Sequence, residues 1–193
     1  EKASAIEKKY NQWLKQYPSS SFDAKNQGIY EQALSSMSFL YLKEGDEANA
    51  QKYLSQLEQV ENFPIYASTL SSGLVKNNQT KIALPIAAKG YALSEAAFLS
   101  SDPKFKGSAI ASRYNSLAPI YAQILSAENQ YEKSADILDK FFTNNPRAKS
   151  SLESILTQTK NYQKIGRDLD AFNLLNNQLV TQGSSEIIVN AIK

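Results

Sequence analysis

The segment Glu128–Pro146, ENQYEKSADILDKFFTNNP, decides the fold prediction for this chain. It begins with a polar turn, continues with apolar residues at three- and four-residue spacing, and ends at a proline. That spacing is typical of a helix with one apolar face. The earlier segment Gly45–Leu57, GDEANAQKYLSQL, has the same construction. Because the pattern occurs twice, we expect the chain to be built from a repeated helical unit.

The composition narrows the class of function. The chain has 193 residues, enough to bury a hydrophobic core, and its net charge is only +2. No basic block marks a nucleic-acid surface. The longest weakly polar run, 82–99, is interrupted by Lys89, Glu95, Pro85 and Gly90. We therefore expect no nucleic-acid partner and no membrane insertion by this segment.

The residues needed for common catalytic sites are missing. Without Cys or His, the chain has no Ser-His-Asp triad, no thiolate site and no two-His zinc site. The carboxylate pairs Asp136/Asp139 and Asp168/Asp170 are predicted to be solvated surface charges, because their spacing does not make a glycosidase site. We therefore expect this segment to have no catalytic residues, no cofactor and no metal.

Helical periodicity covers almost the whole chain, and the alternation typical of strands is scarce. Asp46 is a predicted N-cap, and Ser150 with Glu153 has the form of a capping box. Pro85 conflicts with Thr80 as an N-cap, so that helix either starts near Leu84 or bends. The predicted helices cover 2–17, 27–43, 47–60, 64–76, 82–100, 107–127, 131–144, 148–160, 162–181 and 185 onward.

The helices group into repeated hairpins with starts spaced by about 33 residues. The predicted units lie near 31–63, 64–96, 115–145 and 146–179, with an insertion around 97–114 and an N-terminal capping helix at 1–17 that carries Trp13. Small residues should allow each pair of helices to approach closely, namely Ser38, Ser71, Ala122, Ala50, Ala83 and Ser134. In the fourth unit Ile165, Leu169 and Phe172 should face the first helix. Each hairpin alone buries only part of its surface, so the units should stack.

These offsets resemble the tetratricopeptide repeat, whose 34-residue helix–turn–helix has small and aromatic residues at matching positions. The match is best at Met37, Ser38, Tyr41 and Ala50, and again at Tyr121–Leu125. The resemblance implies an all-α, TPR-like right-handed α-solenoid of antiparallel helix hairpins with about nine or ten helices. It implies one domain over 1–193.

A narrower resemblance concerns the segments KKYNQWLKQYPSSSF and IYEQALSSMSFLYLKEGDEANAQKYLSQLE. They are similar to the helical N-terminal region of extracytoplasmic thioredoxin-like proteins of the TlpA type. That resemblance implies a periplasmic location and a catalytic CxxC domain beyond Lys193. No CxxC occurs here, so no redox role is assigned to any residue.

The resemblance to peptide-binding repeats also implies a concave face lined by the first helix of each hairpin. The implied groove positions are Gln32, Ser35, Phe39, Lys43, Ser116, Gln123 and Ser126. They are mostly small and neutral, so we expect a hydrogen-bonding or apolar groove rather than strong charge-driven capture of a peptide. Most aromatic residues, including Phe172, are predicted to belong to the core.

Three functions remain open. The first is a non-catalytic scaffold that docks a protein, a peptide or an adjacent domain. The second is the N-terminal arm of a thiol-disulfide oxidoreductase. The third is a carbohydrate- or small-ligand-binding solenoid, which requires two or more tyrosines exposed in one cleft.

Overall fold

The computed structural model describes residues 2–18, 22–100, 109–146 and 151–182. These residues form nine α-helices and no strand, so the prediction of an all-α fold is confirmed. The predicted helix from 185 onward lies outside the described residues. The helices are α1 (Ala3–Gln16), α2 (Ala24–Glu44), α3 (Glu47–Leu57), α4 (Phe63–Lys76), α5 (Thr80–Ser100), α6 (Ala109–Ala127), α7 (Tyr131–Asn144), α8 (Leu152–Lys164) and α9 (Asp168–Gln182).

Local side-chain chemistry sets several helix ends. The Asp23 carboxylate accepts a hydrogen bond from the backbone N–H of Asn26 at 2.7 Å and so starts α2. Asp46 does the same for Asn49 at 3.1 Å, which confirms its predicted role as the N-cap of α3. Gly45 lies between the two helices with φ +80°, a conformation that glycine adopts without steric cost.

The start of α5 settles the question raised by Pro85. The helix begins at Thr80 and contains Pro85 in its interior, so a start near Leu84 is wrong. The Gln79 carbonyl accepts the hydrogen bond from the Ala83 N–H at 3.0 Å. Thr80 is therefore not the N-cap, and its hydroxyl donates instead to Glu128 at 2.5 Å.

The turn of the last hairpin lies later in the chain than predicted. The turn lies at residues 165–167 and contains Gly166 at φ +75°, rather than near 161. Ile165 is therefore a turn residue, while Leu169 and Phe172 are 73% and 52% exposed. Helix α9 instead buries a face that includes Ala171 and Leu175. Of the predicted capping box, Ser150 lies outside the described residues, and the N-cap of α8 is Ser151.

Most helices pack against the next helix along the chain, and the alternate helices from α2 to α8 also pack against one another. The consecutive pairs from α4 through α9 are in contact, as are α1 with α2 and α2 with α3. In addition, α2 packs against α4, α4 against α6, and α6 against α8. These four alternating helices therefore form one contiguous layer, and the groove described below lies on it.

Small residues lie where helices come closest, as predicted. The serines and alanines expected at these positions are all fully buried. Gly90 is a further close approach, because a Cβ placed there would lie 2.5 Å from the Cβ of Ala67 and 3.4 Å from Leu117. Large side chains fill the space between these contacts, including the stacked rings of Phe98 and Tyr114, whose centroids are 4.6 Å apart.

Helix α5 is long and apolar enough to cross a membrane by length and composition alone, and it is the one such helix in the described ranges. Its apolar residues also have partners within the fold. Ile86, Tyr91 and Phe98 are buried, and the helix packs between α4 and α6.

Helix α1 is joined to the first hairpin by two carboxylates: Glu44 of α2 accepts a hydrogen bond from the Ala3 N–H at 3.0 Å, and Glu7 of α1 accepts several from the hairpin. Glu7 accepts hydrogen bonds from the hydroxyls of Tyr41, at 2.5 Å, and Tyr53, and from Lys52 Nζ at 3.1 Å. Trp13 packs against Phe22 just before α2, with ring centroids 5.3 Å apart. Phe22 precedes the first hairpin, so the packing of Trp13 against that hairpin stays a prediction, whereas Tyr10 of α1 does contact Tyr53 of α3, with ring centroids 6.3 Å apart.

Candidate functional site

Three cavities follow one another across the layer of α2, α4, α6 and α8. The first has a volume of about 540 Å³ and lies between α2 and α4. The second, about 280 Å³, lies between α4 and α6 and shares Ser68 and Thr69 with the first. The third, about 250 Å³, lies between α6 and α8 and shares Ile120 with the first. We call this continuous surface the groove.

The first cavity has an apolar floor. Phe39 of α2, Leu70 of α4 and Ile120 of α6 line it together. Gly73 lies beside the Phe39 ring, and a Cβ added at Gly73 would come within 2.6 Å of Phe39 Cε2. The missing side chain at residue 73 therefore leaves room for the Phe39 ring beside the cavity.

Hydroxyl groups surround this floor. Ser35 and Ser36 come from α2, and Ser68, Thr69 and Ser72 come from α4. Thr69 donates to the carbonyl of Ile65 in its own helix, at 3.2 Å. Ser35 is different, because only 9% of its surface is exposed and its hydroxyl has no hydrogen-bond partner among the described residues. The Ser35 hydroxyl is not one of the fully buried polar atoms, so it can bond to water or to a ligand in the cavity.

Two lysines lie in the last turns of α2 and α4, Lys76 within the groove and Lys43 outside its cavities. Lys76 lines the first cavity, and Lys43 follows Phe39 by one helical turn on α2. The C-terminal ends of α2 and α4 are neighbours, because the Gln79 side chain donates to the Leu42 carbonyl at 3.2 Å. No carboxylate in the described residues forms an ion pair with either lysine.

The other two cavities carry charges of opposite sign. Arg113 lines the second cavity and is held by a hydrogen bond from its Nη2 to Asn62 Oδ1 at 2.8 Å. Glu153 lines the third cavity and accepts a hydrogen bond from Gln123 Nε2 at 2.8 Å. Charge along the groove therefore changes from basic near α2 and α4 to acidic near α8.

The structure places most of the predicted groove residues on this surface. Ser35 and Phe39 line the first cavity, Ser116 the second and Gln123 the third. Gln32 and Lys43 are exposed on α2 but outside these cavities. Ser126 is buried, with 3% of its surface exposed and no partner for its hydroxyl, and it does not line the groove. The assignment of Ser126 to the groove was therefore wrong.

Sequence reasoning missed eight residues of the first cavity, namely Ser36, Ser68, Thr69, Leu70, Ser72, Gly73, Lys76 and Ile120. A signal for Lys76 was present, because it occupies the same place in the unit that starts at Pro64 as Lys43 does in the unit that starts at Glu31. No comparable signal identified Ile120, since its position depends on how α6 packs beside α4.

The aromatic residues belong mainly to the core. Most of the tyrosines are buried, and burial raises the pKa of Tyr66 and of Tyr162 to about 12. No tyrosine lines any of the three cavities in the described part of the chain. The condition stated for a carbohydrate site, exposed tyrosines in one cleft, is therefore not met along the groove.

The acidic residues do not converge either. Asp136 is exposed on α7, while Asp139 accepts hydrogen bonds from Gln158 Nε2 at 2.9 Å, from the Tyr162 hydroxyl and from Arg167 Nη1 at 3.4 Å. Asp139 therefore ties α7 to α8 and to the turn that follows it. Within the described ranges, no three Asp or Glu side chains are grouped as metal ligands.

Comparison of the chain with protein-family models, curated proteins and solved structures found no match.

Proposed function

We propose that this protein is a non-catalytic helical scaffold that docks a segment of a partner protein in the groove. In this proposal its hairpins stack as a TPR-like right-handed α-solenoid, and the layer of α2, α4, α6 and α8 is its concave face. The contacts between successive members of that layer support the arrangement.

One observation carries the proposal, namely the continuity of the groove across four helices. The second cavity shares Ser68 and Thr69 with the first, and the third shares Ile120 with the first, so an occupant can follow the surface from α2 to α8. The groove also offers apolar surface, since Ile65 is 48% exposed beside the second cavity. Concave surfaces that combine apolar residues with a few polar groups are typical binding sites.

The proposal is tested by filling the groove. Ser36 is exposed and lines the first cavity, so Ser36→Trp should block it without disturbing the core. Ala92→Trp is the matched control, because Ala92 is exposed on α5 and lines none of the three cavities. The measurement is the amount of partner that copurifies with each variant from cells that produce the protein, after circular dichroism has shown equal helix content.

We expect Ser36→Trp to lose the partner by tenfold or more and Ala92→Trp to retain it, with about 1.4 kcal/mol corresponding to each tenfold change in affinity. Equal recovery with both variants, or loss with Ala92→Trp alone, would contradict docking in the groove.

A further inference from the structure

We infer that the first cavity binds an extended acidic segment of the partner, with an apolar side chain in the cavity and a carboxylate side chain against Lys76 and Lys43. This inference rests on the proposed function and specifies the chemistry of the occupant. Three observations lead to it: the apolar floor, the hydroxyl groups around it and the charge at its end.

The floor selects an apolar side chain. Phe39, Leu70 and Ile120 contribute the apolar lining of an open cavity of about 540 Å³, within the range of small-ligand pockets. No charged group lies in this floor. An apolar side chain that enters it removes apolar surface from water, which is the main favourable term in docking.

The hydroxyl groups favour an extended backbone over a helix. The N–H and C=O groups of a helix are already paired within the helix, whereas those of an extended segment need external partners. The Ser35 hydroxyl is accessible from the cavity and has no partner among the described residues, and Ser36, Ser68 and Ser72 line the same cavity. An extended backbone in the cavity would satisfy the Ser35 hydroxyl.

The charge selects an acidic neighbour. Lys76 is the one charged residue among those that line this cavity, and Lys43 stands at the adjacent helix end. No carboxylate of the described residues neutralises either of them. In an extended segment, side chains two residues apart point to the same side, so an apolar residue and an acid at positions i and i+2 reach the floor and the lysines together.

A lysine in the last turn of a helix also interacts favourably with the helix dipole. That structural role affects helix stability but gives no preference among bound peptides. The test therefore compares peptides that differ in one side chain, and it measures the preference rather than stability.

The probes are three amidated peptides, GSGFSEGSG, GSGFSQGSG and GSGFSKGSG, so that the side chain after FS carries the only charge difference. Binding to the intact protein is measured at low salt by NMR, from the amide shifts of Ser35, Ser36 and Ser72. The same titrations are repeated with Lys76→Gln, with Ser36→Trp and at raised salt.

We expect the glutamate peptide to bind about two- to fivefold more tightly than the glutamine peptide, the range measured for exposed charge pairs, and the lysine peptide to bind most weakly. Lys76→Gln should reduce this preference, and salt should weaken it because the charges are solvent-accessible. Ser36→Trp should abolish the shifts with all three peptides.

Equal binding of the three peptides, blocked by Ser36→Trp, would overturn the acidic specificity and leave docking in the groove intact. Shifts that persist in Ser36→Trp, or the absence of shifts at these amides with every peptide, would overturn the inference about the cavity. In that case the docking proposal is judged by the partner recovery measured with Ser36→Trp and Ala92→Trp.

Discussion

Gly90 lies where α4, α5 and α6 come closest, and its lack of a side chain is required there. A Cβ at this position would overlap the Cβ of Ala67, which is fixed to the backbone of α4 and cannot rotate away. We predict that Gly90→Ala lowers the free energy of unfolding by about 1–2 kcal/mol, because overpacking outweighs the gain in helix propensity. Urea unfolding followed by circular dichroism measures the change.

Gly28 is the matched control for this prediction. It lies inside α2 with no atom within 4 Å of an added Cβ. Gly28→Ala should therefore stabilise the protein by up to about 1 kcal/mol, since alanine favours the helix. If both variants were stabilised, the close approach at Gly90 would not exist in solution.

Glu7 gives a prediction that depends on pH. The hydroxyls of Tyr41 and Tyr53, together with Lys52, hold the pKa of Glu7 below its ordinary value of 4.5. A lowered pKa in the folded state means that this carboxylate stabilises the fold fully above pH 4.5, and that the stabilisation is lost as the pH falls through the folded pKa. Glu7→Gln should therefore destabilise the protein at pH 7.

The difference between wild type and Glu7→Gln should shrink once the pH falls below 4.5, as followed by thermal unfolding across that range. Glu61→Gln serves as the control, because Glu61 is an exposed residue of the turn between α3 and α4. A constant difference between wild type and Glu7→Gln from pH 7 down to acid would show that the Glu7 charge does not hold α1 in place.

Much at the residue scale could be predicted from the sequence. Ser38, Ser71 and Ala122 were expected at close helix contacts and are fully buried, because a helix interface tolerates only small groups where backbones approach. Ser126 was assigned wrongly because one helical face was taken to be exposed. Helix α6 in fact packs against α4, α5, α7 and α8, so little of its surface remains exposed.

At the scale of elements, Asp139 joins three parts of the chain. Its carboxylate on α7 accepts hydrogen bonds from Gln158 and Tyr162 of α8 and from Arg167 in the next turn. We predict that Asp139→Asn lowers the free energy of unfolding by about 1.5–3 kcal/mol, the range for hydrogen bonds to charged groups. Hydrogen exchange should quicken in α8 and α9 more than in α2.

Asp136→Asn is the control for this element, because Asp136 is exposed one turn earlier on α7. It should change stability by less than about 0.5 kcal/mol, as surface substitutions usually do. Equal effects of the two substitutions would mean that Asp139 does not hold α8 and α9 against α7.

The boundaries of the elements were predictable where a polar turn marks them. Helix α7 ends and begins as expected, and Asp46 is the N-cap that its position predicted. The turn between α8 and α9 was predicted near 161. The helix in fact continues through Lys160–Tyr162, so the turn lies later in the chain. Gly166, which adopts φ +75°, is the residue that marks the true turn.

At the scale of the whole molecule, the periodic pattern predicted the all-α fold. The resemblance to peptide-binding repeats implied groove positions, of which Ser35, Phe39, Ser116 and Gln123 line the three cavities, and their role in binding stays a prediction. The pattern could not identify the cavity itself, since Ile120 and Gly73 meet there through packing between helices that are not consecutive. The hypothesis of a redox arm concerns residues beyond this sequence and stays a prediction.

The central claim is that the groove is the docking surface, and photo-crosslinking tests it most directly. Benzoylphenylalanine is placed singly at Ile65 and Lys76, which are exposed and line the groove, and at Gln51 and Ala92, which are exposed on α3 and α5 and do not line it. Each variant is irradiated in the cells that produce the protein, and crosslinked partners are identified by mass spectrometry. We predict the same partner from both groove positions and none from the other two. Crosslinks to that partner from Gln51 or Ala92, with none from the groove positions, would contradict the claim.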